Sequence, residues 1–170
     1  MDELTLFQAY LETRNYKERG IEEKLRAVRA FVVYADSETL DLYRCTYQEA
    51  YAYREYLRLA HKDDGTLRYT PQTINGHIAY LRLFYHYLVS CSKSLANPFA
   101  ALEKMREHIR LPKQILTIEQ IQKLLASLPL EDGQDILFAT VLEMLYSGGF
   151  RISEIENLNR QDIDIYKGTV

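Results

Sequence analysis

Apolar residues recur along this chain at helical intervals, in blocks separated by short polar turns. Leu4, Phe7 and Leu11 open one amphipathic stripe. Ile21, Leu25, Val28 and Val32 follow at spacings of four, three and four residues, which predicts a second helix sharing a core with the first. A third helix is expected over about residues 46–60, dense in tyrosine at Tyr47, Tyr51, Tyr53 and Tyr56 and closed by Leu57 and Leu59. Residues 61–66 read as a polar turn. Thr70 and Pro71 then mark a helix start, with Thr70 as cap and Pro71 at the first helical position, where no backbone N–H is required.

The fourth helix keeps Ile74, Ile78, Leu81, Tyr85 and Leu88 on one face for nearly four turns, leaving Thr73, Asn75, His77, Arg82 and His86 off that stripe. From residue 97 to residue 114 the periodicity weakens. Prolines there flank the basic side chains Lys104, Arg106, Arg110 and Lys113, the pattern of an interdomain linker. Beyond it, Thr117 with Gln120 three residues later has the spacing of a capping box, opening a helix with Ile118, Ile121, Leu124 and Leu125. Residues 135–146 read as another helix, almost wholly apolar except Glu143, which predicts the buried centre of a second core. Asp162, Ile163, Asp164 and Ile165 alternate like the beginning of a strand.

Composition narrows the class. Of 170 residues 47% are hydrophobic and 26% charged, and seven glycines and four prolines leave long stretches free to be helical. The longest apolar run, residues 136–142, is too short to span a membrane. The acidic N-terminus has no signal-peptide pattern, so a cytoplasmic, membrane-free protein is expected. Cys45 and Cys91 stand apart from each other and from any Cys/His cluster, so two free thiols are expected and neither a metal site nor a cofactor.

The net charge of −3 argues against indiscriminate nucleic-acid binding, but its distribution matters more than its sum. Residues 1–60 carry nine basic and eleven acidic groups, residues 61–115 eight and four, and residues 116–170 four and nine. All four histidines lie in the basic middle segment. A single basic zone on an acidic protein is a candidate footprint for DNA.

The densest chemical signal is Tyr146-Ser147-Gly148-Gly149-Phe150-Arg151-Ile152-Ser153-Glu154-Ile155 running on to Leu158. Gly148 and Gly149 permit a positive φ or a close backbone approach. Ile152, Ile155 and Leu158 give the following helix an apolar face, expected to hold Arg151 on a buried scaffold. The guanidinium offers a fork of donors matched to two phosphate oxygens. An ordinary helix ion pair between Arg151 and Glu154 is the plainer alternative.

This stretch resembles the first catalytic motif of the tyrosine recombinases, the family of phage integrases and Xer-type resolvases. That motif reads roughly Leu-Tyr-Ala-Thr-Gly-Leu-Arg-Ile-Ser-Glu-Leu, followed by a leucine and Asp-Ile-Asp. Gly148 stands where the family usually has threonine and Phe150 where it has leucine. A second likeness runs from Thr73-Ile74-Asn75 through Ala79-Tyr80-Leu81-Arg82 and Phe84-Tyr85-His86-Tyr87-Leu88 to Asn97-Pro98, similar to the family's core-binding domain. There Gly76 replaces a common arginine, with His77 beside it as a substitute contact.

The resemblance implies a mainly α fold: a helical, SAM-like core-binding bundle over residues 1–108, a linker to about residue 115, and the beginning of an incomplete α+β catalytic domain over 116–170. It implies double-stranded DNA as partner, with Thr73, Asn75, His77, Arg82, Lys104, Arg106, Arg110 and Lys113 as DNA contacts. Arg151 would stabilise charge on the scissile phosphate and Glu154 would support it. Complete family members attack a DNA phosphodiester with a tyrosine, form a 3′-phosphotyrosyl bond without metal or ATP, and work as tetramers.

The rest of that chemistry is not matched. No His-x-x-Arg occurs, since Arg110 follows His108 at the wrong spacing, and none of the fourteen tyrosines stands where the nucleophile belongs. The expectation is therefore a truncated member, inactive in strand cleavage by itself, that binds DNA weakly and self-associates through exposed apolar surface at residues 136–146. The alternative is a noncatalytic, integrase-derived helical module that binds DNA or another protein.

Overall fold

A computed structural model of the chain describes residues 3–106, 116–164 and 166–169. The chain divides into two compact units, Met1–Ile109 and Arg110–Val170. The first contains α1 (Glu3–Thr13), α2 (Glu18–Ser37), α3 (Tyr47–Leu59) and α4 (Pro71–Ser90).

Local chemistry sets these helix boundaries. Thr46 Oγ1 accepts from the Glu49 backbone N–H while the Glu49 carboxylate accepts from the Thr46 N–H, a reciprocal cap that starts α3. Thr70 Oγ1 accepts from the Thr73 N–H with Pro71 at the first helical position, as expected. Residues 61–67 form a tight hairpin closed by an antiparallel bridge between His61 and Leu67, turned at Gly65 with φ 77°.

Helix α4 is the hub, packed against α1, α2 and α3. The expected stripe of Ile74, Ile78, Leu81, Tyr85 and Leu88 is buried, and Phe84 and Tyr87 are buried beside it. Phe7 and Leu11 of α1, Ile21, Leu25, Val28 and Phe31 of α2, and Tyr53 and Leu57 of α3 complete the core. Aromatic rings meet edge to face in it, as at Phe7 and Phe84 (5.0 Å between centroids) and Phe31 and Phe99 (5.3 Å). Cys45 is half-buried and Cys91 exposed, both as free thiols. Burial, opposed in part by a hydrogen bond with Tyr85, pushes the Cys45 thiol up to about 11.

The segment that begins at Asn97, read from sequence as linker, packs onto this bundle as far as Met105. Phe99 and Leu102 are core residues, 0% and 3% exposed. Its weak periodicity reflects an irregular chain held by side chains of α4.

The second unit contains α5 (Ile118–Ala126), α6 (Gly133–Ser147), α7 (Ile152–Glu156) and a 3-10 turn (Arg160–Asp162). The capping box read at Thr117 and Gln120 is formed, with bonds of 2.9 and 3.3 Å. The expected buried core is not. None of this unit's described residues is buried, and Ile136, Leu137 and Phe138 are 53%, 64% and 57% exposed. Helix α6 is apolar around its circumference, and α5 and α7 cover too little of it. The expected strand at 162–165 is also reduced. Asp164 makes one antiparallel bridge to Thr169, because its carboxylate accepts from the Tyr166 and Lys167 N–H groups and folds the chain back at once.

Candidate functional site

In the first unit, the polar residues left off the α4 stripe divide into two groups. Asn75 and Arg82 reach the backbone of residues 97–105. Asn75 Nδ2 donates to the Met105 carbonyl at 2.9 Å and its Oδ1 accepts from the Met105 N–H at 2.8 Å. Arg82 Nε donates to the Phe99 carbonyl at 3.2 Å and Nη2 to the Leu102 carbonyl at 3.0 Å. Asn97 returns a bond from its Nδ2 to the Arg82 carbonyl at 2.8 Å. These two side chains therefore hold the irregular segment in place. Lys104 and Arg106, exposed and without a carboxylate partner among the described residues, flank the clamped Met105.

Thr73 and His77 form the other group. Thr73 is exposed, its hydroxyl 2.9 Å from that of Thr70. His77 is half-buried, its ring 5.6 Å from that of Tyr69, and its Nδ1 has no hydrogen-bond partner. Burial lowers its pKa, which favours the neutral imidazole. Both residues line a recess of about 410 Å³ between α4 and α2, where Gly76 leaves space and Arg26 joins them from α2. Sequence reasoning missed Arg26. Its signal was only that of one charge among several on the polar face of α2. Arg110 and Lys113 lie outside the described residues.

In the second unit, the paired glycines have separate duties. Gly149 adopts φ 65°, the left-handed conformation that disfavours a Cβ. Gly148 does not need a positive φ; it needs space. A Cβ there would stand 2.5 Å from two atoms of the Phe150 ring and 2.8 Å from the Met144 carbonyl oxygen. The turn delivers Arg151 to the N-cap of α7, where its backbone N–H and its Nη1 donate to the two carboxylate oxygens of Glu154 at 2.8 and 2.7 Å. Those bonds, the backbone one foremost, hold the Glu154 carboxyl below its usual range.

The scaffold beneath Arg151 is more open than expected. Ile152 is 57% exposed, while Ile155 and Leu158 are half-buried. The Arg151 side chain is itself 81% exposed, and only Nη1 is committed to Glu154, so the guanidinium has donors to spare for an anion. Among the described residues no cluster of three His, Cys, Asp or Glu side chains is placed to hold a metal ion. No described helix is long and apolar enough to cross a membrane.

No family model matches the chain. It is similar to the tyrosine recombinase XerC of Staphylococcus aureus strain JH9, with 29% identity over 167 residues, which is 96% of this chain and 53% of that protein. The XerC of strain NCTC 8325 is likewise 29% identical over 166 residues, 95% of this chain and 53% of the relative. The chain thus spans about half the length of the curated relatives it matches.

Proposed function

We propose that this chain, a relative of the tyrosine recombinases, takes part in site-specific DNA recombination. Its first unit binds recombination-site duplex and its second presents Arg151 to a DNA phosphate. The observation that carries this reading is the likeness to XerC across 96% of the chain. The geometry fits it. Thr73 and His77 line the recess on α4, and Asn75 fixes Met105 between two exposed cations, Lys104 and Arg106. Most of the affinity of such a face for duplex DNA comes from cations released when phosphates are neutralised, and specificity comes from side chains that reach base edges.

In this reading Asn75 and Arg82 support the DNA face from beneath, and Arg110 and Lys113 are further phosphate contacts. At the second unit Arg151 binds a nonbridging phosphate oxygen and stabilises the negative charge that grows during phosphoryl transfer. Loss of one preorganised donor of that kind costs about 3 kcal/mol in activation free energy. Glu154 orients the guanidinium. Its carboxylate is committed to the Arg151 backbone N–H and Nη1, which suits it to orientation. We assign no nucleophile among the tyrosines and no metal or cofactor. The protein acts in the cytoplasm and self-associates through the exposed face of α6, assembling as a tetramer on DNA. The net charge of −3 favours a second reading, a noncatalytic helical module that binds another protein.

Fluorescence anisotropy of a labelled duplex, titrated across salt concentrations, tests the proposal. Binding that weakens steeply with salt supports a phosphate-contacting face, and Lys104→Gln or Arg106→Gln should each reduce the log-log slope by about 0.9. Absence of salt-dependent binding overturns the DNA reading in favour of the protein-binding one.

A further inference from the structure

A face that binds a polyanion needs free positive charge, and α4 cannot supply it. The only lysine or arginine in α4 (Pro71–Ser90) is Arg82, and its guanidinium is turned onto the carbonyls of Phe99 and Leu102. His77, on the same helix, is held toward its neutral form by burial.

The missing charge stands on α2. Three of that helix's four basic side chains are engaged: Arg19 pairs with Glu23 at 3.5 Å, Arg29 pairs with Glu22 at 3.0 Å, and Lys24 donates to the Gly20 carbonyl while lying over the Tyr16 and Tyr80 rings. Arg26 has no carboxylate, carbonyl or ring partner among the described residues. The one acid on the recess wall, Glu23, is taken up by Arg19 and by the Tyr80 hydroxyl at 3.4 Å. The recess beside Arg26 is open because Gly76 has no side chain, and a Cβ there would meet nothing within 4 Å. Thr73, Gln72 and His77 line the α4 side.

We propose that Arg26 and the recess over Gly76 form one subsite for a DNA backbone phosphate, with Arg26 binding the phosphate across the groove between α2 and α4. The subsite rests on the DNA-binding reading above and adds to it a residue from a second helix. Thr73 and Gln72 donate to the same phosphate from the α4 side. His77, half-buried with its ring against that of Tyr69, closes the floor.

Anisotropy with the same labelled duplex tests it in the whole chain. Arg26→Gln should weaken binding roughly tenfold at low salt, the loss of a charge-assisted contact, and should lower the salt slope by about 0.9. Gly76→Leu, which fills the recess and leaves every charge in place, should weaken binding comparably. Arg29→Gln, one turn along and already paired with Glu22, should leave the slope unchanged and serves as the control. Circular dichroism melts confirm that each variant is folded. If wild-type protein binds with strong salt dependence and folded Arg26→Gln retains its slope, the subsite is overturned while the DNA reading stands. If wild-type protein shows no salt-dependent binding, both fall together.

Discussion

Glu3, in the first turn of α1, accepts two hydrogen bonds from Lys93, just past the end of α4, at 2.8 and 3.0 Å. The Tyr87 and Tyr43 hydroxyls donate to the same carboxylate at 2.9 and 3.1 Å. One side chain thus gathers four hydrogen bonds from three residues, and with 13% of it exposed it is largely out of water. Burial raises its pKa, but the bonds from Lys93, Tyr87 and Tyr43 outweigh that and leave it below the usual carboxylate value. A folded pKa below the unfolded one means that the contribution is complete above the unfolded value and fades as pH falls through the folded one. Glu3→Gln should therefore cost about 1–3 kcal/mol at pH 7 and less at pH 3, as urea denaturation at the two pH values would show. An equal cost at both would contradict the linkage.

Arg82 is expected to matter more for stability than for charge. Arg82→Gln should lower unfolding free energy by about 1–3 kcal/mol, because the Phe99 and Leu102 carbonyls lose their donors. Arg82→Lys should not restore it, since an ammonium cannot span both carbonyls as the guanidinium fork does. Measured where the protein is folded, the salt slope for duplex binding should change little in Arg82→Gln. A fall as large as that in Lys104→Gln would show that Arg82 reaches DNA directly.

The glycine turn before Arg151 should respond differently at its two positions. Gly149→Ala forces a Cβ into the left-handed region and should cost about 1–2 kcal/mol. Gly148→Ala should cost about 1–3 kcal/mol by overpacking against the Phe150 ring and the Met144 carbonyl. Adding Phe150→Leu should recover part of the second loss and none of the first. Melting curves of the single and double variants measure this, and strictly additive losses at 148 and 150 would show that the ring can move aside freely.

Glu154 should titrate below an ordinary glutamate when followed by carbon-detected NMR, and the protein's own backbone should account for much of that. Arg151→Lys should raise its pKa only in part, because the Arg151 backbone N–H remains the foremost cause of the shift. Full return to the usual value in that variant would assign the effect to the guanidinium instead.

The features legible in sequence are those decided within a few residues. The Thr70-Pro71 start of α4, the capping box at Thr117 and Gln120, and the buried stripe from Ile74 to Leu88 all follow from neighbours three or four positions apart, which is the range over which helix caps and faces are set. The Arg151 to Glu154 pair belongs with them. Packing across the fold decided the rest. Asn75 and Arg82 look like solvated polar residues until Met105, Phe99 and Leu102 are brought beneath them, and Glu3 looks like an ordinary first-turn acid until Lys93 and Tyr87 arrive from far along the chain. The apolar run at 136–142 reads as a core, yet hydrophobicity shows only that a segment would be stabilised by burial and says nothing about what is present to cover it. Arg26 is the clearest case: its charge is written in the sequence, but the recess that gives it a use exists only where α2 crosses Gly76.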